Sequence, residues 1–197
     1  MKTKLSILFI SIMFIVFAAG CICEPEITGS VPNNLRPQET NNWCWAATTQ
    51  MLAEHLGIFV TQCDLANHRF GKTNCCDPKN DGSACPKTDD CNTPGWLELD
   101  YAGVKFNESG TALSWTDVRK QIYCSKKPMG YAYGTPGVVG HVVVIKGYLT
   151  IGGTDYVVLN DPWSPCNGAE RIITYAQYEN PAGSATHWST WYNIEKK

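Results

Sequence analysis

The stretch Gln38-Glu39-Thr40-Asn41-Asn42-Trp43-Cys44-Trp45-Ala46-Ala47-Thr48-Thr49-Gln50-Met51-Leu52-Ala53-Glu54-His55-Leu56-Gly57 decides how the rest of the chain is read. Ala47 and Met51, then Leu52 and Leu56, recur at four-residue spacing and make an apolar stripe, and Gly57 suits the position just past a helix end. The pattern predicts a helix over 44–57 with Cys44 in its first turn. Unpaired backbone N–H groups and the positive end of the helix dipole favour a thiolate there, so this is where a chain activates a nucleophilic sulfur. Such a sulfur also needs a base and an oxyanion hole. Gln38, six residues upstream, can present its amide beside the Cys44 N–H, two donors aimed at one developing oxyanion.

The chain around this stretch has 197 residues, 44% of them hydrophobic and 17% charged, enough for one domain with a real core and too apolar for a disordered tail. Sixteen basic against 18 acidic residues leave no excess to neutralise phosphates, which excludes a nucleic-acid binder that works by bulk charge. Seventeen Gly and 11 Pro suit turns and strands better than an all-helical bundle.

At the N-terminus Lys2 and Lys4 precede an apolar run over 5–20 that ends in Ala18-Ala19-Gly20-Cys21. A basic start, a short apolar stretch and small residues before a cut site make a secretory signal, 1–20, too short to favour a spanning helix of ~20 apolar residues. Small residues immediately before a cysteine resemble the bacterial lipobox, which would make Cys21 the lipidated first residue of an exported protein; an ordinary signal peptide cut nearby is the alternative. Pro25, Pro32, Asn33, Asn34 and Pro37 break any period, so 21–37 reads as a linker and 38–197 as the domain.

Two further blocks share the chemistry of the first. His141-Val142-Val143-Val144-Ile145-Lys146-Gly147-Tyr148 and Tyr156-Val157-Val158-Leu159-Asn160-Asp161-Pro162-Trp163 are apolar, β-branched runs separated by a turn containing Gly152-Gly153, which predicts an antiparallel hairpin. His141 opens its first strand and Asp161 closes its second, so both lie at one end of the sheet. A carboxylate there can accept from one imidazole nitrogen, fix the tautomer and leave the other nitrogen for Cys44. His55 is eleven residues after Cys44 on the same helix, about 16 Å along its axis, too far to be the base. His68 and His187 have no such setting and read as surface or packing histidines.

The three blocks, Gln38 with Cys44-Trp45-Ala46, then His141 to Gly147-Tyr148, then Asp161 before Trp163, resemble the papain-like cysteine peptidases in composition and order. That family has Asn where Asp161 stands, and the change resembles its compact bacterial members, including peptidases that trim double-glycine leaders. The resemblance implies Cys44 as nucleophile, His141 as base, Asp161 as orienting residue and Gln38 as oxyanion donor. It also implies a shielding role for Trp163 over the His–Asp bond. The Gly-rich approach to His141 over 134–140 either leaves space for an extended substrate backbone or is a plain loop, and Gly140 and Trp45 are the substrate-binding candidates. No cofactor and no metal are expected. The partners expected are a protein or peptide substrate, no nucleic acid, a membrane only through the N-terminal lipid, and no second copy.

Setting Cys21 and Cys44 aside leaves Cys23, Cys63, Cys75, Cys76, Cys85, Cys91, Cys124 and Cys166, an even set that points to disulfides in an exported chain, with the pairing open. Adjacent Cys75 and Cys76 each reach elsewhere on geometric grounds. No Cys-x-x-Cys spacing supports zinc, and Asp77, Asp81, Asp89 and Asp90 lack the spacing of a calcium loop and read as a solvated acidic loop.

Helices are expected over 61–69, over 93–101 with Pro94 in the first turn, and from Ser114 to about Cys124; strands over 129–133, in the His141 hairpin, over 171–174 and over 187–194. Helices first and strands second give an α+β, papain-like two-part fold, a helical N-terminal half against an antiparallel sheet, with the site in a cleft between them. The function expected is a thiol peptidase. A cell-wall amidase or transglutaminase-like enzyme on the same site, or a non-catalytic peptide-binding module, are the alternatives.

Overall fold

The computed structural model describes residues 23–76 and 91–197. The signal segment, Cys21, Cys85 and the acidic loop lie outside the described residues.

The helix expected at Cys44 is α1, Cys44–His55, and it is followed by α2, Gln62–Phe70. Thr61 caps α2 by accepting from the Asp64 N–H, while the Asp64 carboxylate accepts from the Thr61 N–H, so two orphan donors of the first turn are satisfied reciprocally. Gly71, in the left-handed region at φ 60°, ends it. A third helix, α3, Trp115–Arg119, is capped by Ser114 as its sequence predicts and runs on as a π-helical turn, Lys120–Cys124. A short α4, Tyr175–Glu179, was not foreseen.

Seven strands form one antiparallel sheet: β1 Thr28–Ser30, β2 Val104–Ser109, β3 Met129–Gly134, β4 His141–Ile151, β5 Thr154–Asp161, β6 Ala169–Thr174 and β7 Thr186–Lys196. Their order is β2-β7-β3-β4-β5-β6, and β1 pairs with β4 beyond the end of β3. The hairpin turns at Gly152 and Gly153, both at positive φ, as a two-residue connection between twisted strands requires. Val142, Val143, Val144 and Ile145 are all buried because β4 is covered on both faces. Val142 and Val144 join α1 in one core with Trp43, Met51 and Leu52; Val143 and Ile145 join Tyr131, Val118, Ile122 and Tyr178 in the other. The result is α+β, a helical part against a large antiparallel sheet, as expected.

Two expectations are corrected. The segment 93–101 is extended and then turned, not helical. Its polar backbone groups go to α1: the Thr93 carbonyl accepts from Trp45 Nε1 at 3.1 Å and the Glu98 N–H donates to Thr49 Oγ1 at 3.1 Å, so tertiary partners replace the helical ladder. The stretch that reads as a linker is partly built onto the sheet through β1, and Cys23 is bonded to Cys124. Cys63–Cys76 and Cys75–Cys91 are also joined, so the adjacent cysteines do reach apart; Cys166 is disulfide-bonded as well. Cys63 and Cys76, which with Glu39 gather potential metal-binding atoms, are thus bonded to each other. Among the described residues no helix is long and apolar enough to cross a membrane.

Candidate active site

Cys44 begins α1 with nothing capping it: Trp43 occupies the cap position and makes no side-chain cap bond. The first-turn N–H groups therefore have no partner inside the helix and remain available to a ligand at the sulfur. Cys44 is the free cysteine of the described residues and is 8% exposed. One turn on, Thr48 Oγ1 donates to the Val142 carbonyl at 3.0 Å, which ties α1 to the residue after His141 and sets the nucleophile against the start of β4.

His141 Nε2 donates to Asp161 Oδ1 at 2.6 Å, and Cys44 lines the same chamber as the imidazole. Burial opposes charge on this imidazole, but the Asp161 carboxylate and the neighbouring Cys44 sulfur outweigh it and push its pKa up to about 9. Burial likewise opposes charge on Asp161, yet His141, the Trp163 N–H at 2.9 Å and Arg171 hold it below the usual carboxylate range. Arg171 Nε forms an ion pair with Asp161 Oδ2 at 2.6 Å. The Tyr133 ring meets His141 edge-on at 5.8 Å, from the residue directly opposite it on β3. Cys44, His141 and Asp161 thus line one chamber, the last two hydrogen-bonded to each other.

Gln38 is close to this set and fully buried, but its amide is occupied. Nε2 donates to the Thr40 carbonyl at 2.7 Å and to the Asn41 carbonyl at 2.8 Å, while Oε1 has no partner. Its main chain is fixed on both sides, the N–H to the Pro162 carbonyl and the carbonyl to the Cys166 N–H. The loop between Gln38 and Cys44 is held by Asn92. Asn92 Oδ1 accepts from Thr40 Oγ1 and from the Asn42 N–H at 2.9 Å, and its carbonyl accepts from Asn42 Nδ2 at 3.0 Å. Trp43 Nε1 donates to the neighbouring Cys91 carbonyl at 2.8 Å.

The cleft has two chambers that share Cys44, Val139 and Gly140. One, about 280 Å³, is walled by Trp96, Trp188, Val138, Val139 and Val142. The other, about 440 Å³, holds His141, Asp161, Trp163, Arg171, Asn41 and Tyr133. Gly140 has no room for a side chain, since a Cβ there would lie 1.9 Å from the Trp188 ring. Trp45, expected at the substrate, is instead fully buried in the core, edge-on to Phe70 and under Arg69, and lines neither chamber. Trp163 is 46% exposed at the rim of the second chamber. His55 bridges the Pro32 and Lys126 carbonyls, His68 stacks on Tyr101, and His187 is packed among Tyr131, Tyr178 and Thr190, each away from Cys44. Arg171, Asn92 and the tryptophan walls carry no local sequence signal, because each reaches the site through strand register or a loop far off in the chain.

A family profile described as the Peptidase_C39 like family matches residues 32–194. No curated protein matches the chain. Among solved structures, one from a study of the mite allergens Blo t 1 and Der p 1 is similar at a TM-score of 0.53 and 15% identity, covering 89% of this chain and 73% of that one. Digestive procathepsin L 3 from the larval midgut of Tenebrio molitor is similar at a TM-score of 0.50 and 14% identity, covering 85% and 70%. At such identities the likeness concerns the fold, which is papain-like.

Proposed function

The chain belongs to the Peptidase_C39 like family, and on that premise we propose that it is an exported thiol peptidase working through Cys44, His141 and Asp161. The observation that carries this reading is the meeting of Cys44, at the uncapped start of α1, with the hydrogen-bonded His141–Asp161 pair in one chamber. The Cys44 thiolate forms the C–S bond while the carbonyl electrons move to oxygen. That oxyanion is held by the Cys44 N–H and by Gln38, which exchanges one of its two carbonyl partners for it. His141 gives its proton to the leaving amine, the C–N bond breaks, and a thioester remains. Water then loses a proton to His141, attacks the thioester and expels the thiolate. Asp161 keeps the imidazole in the orientation both transfers need.

Because the proton donor lines the larger chamber, the leaving amine belongs there and the acyl side of the substrate belongs in the tryptophan-walled one. Several disulfides are consistent with export, and lipidation at Cys21 is part of the proposal. A thiol-directed peptidase inactivator applied to the purified protein is expected to label Cys44, and Cys44→Ala to lose roughly 10,000-fold or more of its peptide hydrolysis. An unlabelled Cys44, or undiminished hydrolysis after that substitution, overturns the reading. Membrane association that survives Cys21→Ser overturns the lipid anchor alone.

A further inference from the structure

We propose that Arg171 is a positioning residue that offsets part of the charge of Asp161, so that the carboxylate orients His141 with less stabilisation of the imidazolium than a lone carboxylate would give. The inference rests on the catalytic reading of Cys44, His141 and Asp161 given above.

The two oxygens of Asp161 have separate partners. Oδ1 accepts from His141 Nε2 at 2.6 Å and from the Trp163 N–H at 2.9 Å, and Oδ2 is ion-paired with Arg171 Nε at 2.6 Å. Strand register builds in this arrangement. Asp161 stands opposite Ala169 and Arg171 opposite Leu159, so Asp161 and Arg171 are diagonal neighbours on one face of β5 and β6. Glu170 points to the other face, where it pairs with Lys146. The side chain of Asp161 is 6% exposed and that of Arg171 is 50% exposed, so the pair has one end in the protein and one in the cleft.

The chemistry supplies a reason for the pair. A bare buried carboxylate against an imidazole stabilises the imidazolium, and an over-stabilised imidazolium is a poor acid toward the leaving amine. A neutral amide would orient the ring without that penalty. An ion pair with Arg171 leaves Oδ1 as an acceptor inside a unit of zero formal charge. The remaining groups that face these side chains do not replace Arg171. His141 meets Cys44 from α1 and Tyr133 from β3, and burial foremost keeps the Tyr133 hydroxyl up to about 12 and therefore neutral. Arg69, the other arginine of the cleft, is engaged by Glu98 at 2.6 Å.

The test is the titration of His141 in protein carrying carbon-13-labelled histidine. The chain has four histidines, and the His141 signal is assigned by its loss in His141→Asn. Arg171→Gln, on the edge strand and outside the core, is expected to raise the His141 titration by about one pH unit. Asp161→Asn should lower it, leaving Arg171 as an uncompensated cation. Asp161→Asn combined with Arg171→Gln should bring it back between the two single variants, and Arg171→Lys should stay near the unsubstituted protein. An unchanged or lowered titration in Arg171→Gln overturns the proposal, as does a double variant lying outside the two singles. The rate of Cys44 alkylation by iodoacetamide, measured on the unsubstituted protein, tests the catalytic reading separately. If Cys44 fails to react, that reading falls, whereas the order of the His141 titrations judges Arg171.

Discussion

His141 carries the largest chemical consequence of any single residue in the cleft. Its pKa stands near 9 against an ordinary value of about 6.5, so it holds a proton through the neutral range. Under the proposed mechanism that proton goes to the leaving amine, so kcat/KM measured against pH is expected to hold to about pH 9 and to fall above it. The same shift is linked to stability. A group whose folded pKa is raised contributes stability that is fully present below its unfolded value and is lost as pH rises through the folded one. The thermal midpoint of the protein should therefore decline between about pH 6.5 and pH 9, and His141→Asn should flatten that decline. An alkaline limb near the unperturbed histidine value would mean that the His141–Asp161 bond and the approach of Cys44 to the ring do not form in solution.

Among the elements, the loop between Gln38 and α1 depends on a segment fifty residues away. Asn92 Oδ1 accepts from both Thr40 and Asn42, and the Thr40 carbonyl is in turn an acceptor for Gln38. Asn92→Ala strands two partly buried donors, at about 1–3 kcal/mol each. It is expected to lower stability by about 2 kcal/mol and to reduce kcat/KM, because the loop carries the Gln38 oxyanion donor and, through Asn41 and Asn42, part of the wall of the larger chamber. Asn92→Asp keeps the acceptor oxygen and should recover most of both; urea denaturation and steady-state kinetics decide. This clamp also marks the limit of what the sequence reveals. α1, the hairpin and the Cys44, His141 and Asp161 set are legible, because periodicity and local order within short blocks determine them. The segment 93–101 misleads because Pro94 suits a helix start and a turn equally, and the hydrogen bonds that choose between them come from Trp45 and Thr49. β1 is hidden for a similar reason: three residues acquire strand geometry only because β4 offers them an edge. Trp45 shows the reverse, a residue beside the nucleophile in sequence whose side chain turns into the core.

On the scale of the whole molecule, the disulfides divide the work of holding the fold from that of holding the site. Cys23–Cys124 spans 101 residues and straps the N-terminal segment to the π-helical turn, where Arg119 and Tyr123 also bind Glu26. β1, just beyond this strap, pairs with β4 over Gly147, Tyr148 and Leu149, well along the strand from His141. Cys75–Cys91 spans 16 residues and ends at Cys91, which precedes Asn92 and whose own carbonyl accepts from the Trp43 indole. Loop-closure entropy makes the longer bridge worth more, about 4–5 kcal/mol against about 3 for the shorter. Position makes the shorter one matter more to catalysis. Cys23→Ser with Cys124→Ser should therefore cost more in urea denaturation, yet leave the rate of Cys44 labelling nearly unchanged at temperatures where the protein stays folded. Cys75→Ser with Cys91→Ser should cost less stability and slow that labelling severalfold, because the chain that fixes the nucleophile loop is then free to shift. If both double variants lost stability and labelling in the same proportion, the two halves of the molecule would be a single cooperative support for Cys44, and the division of labour drawn from the bridges would be wrong.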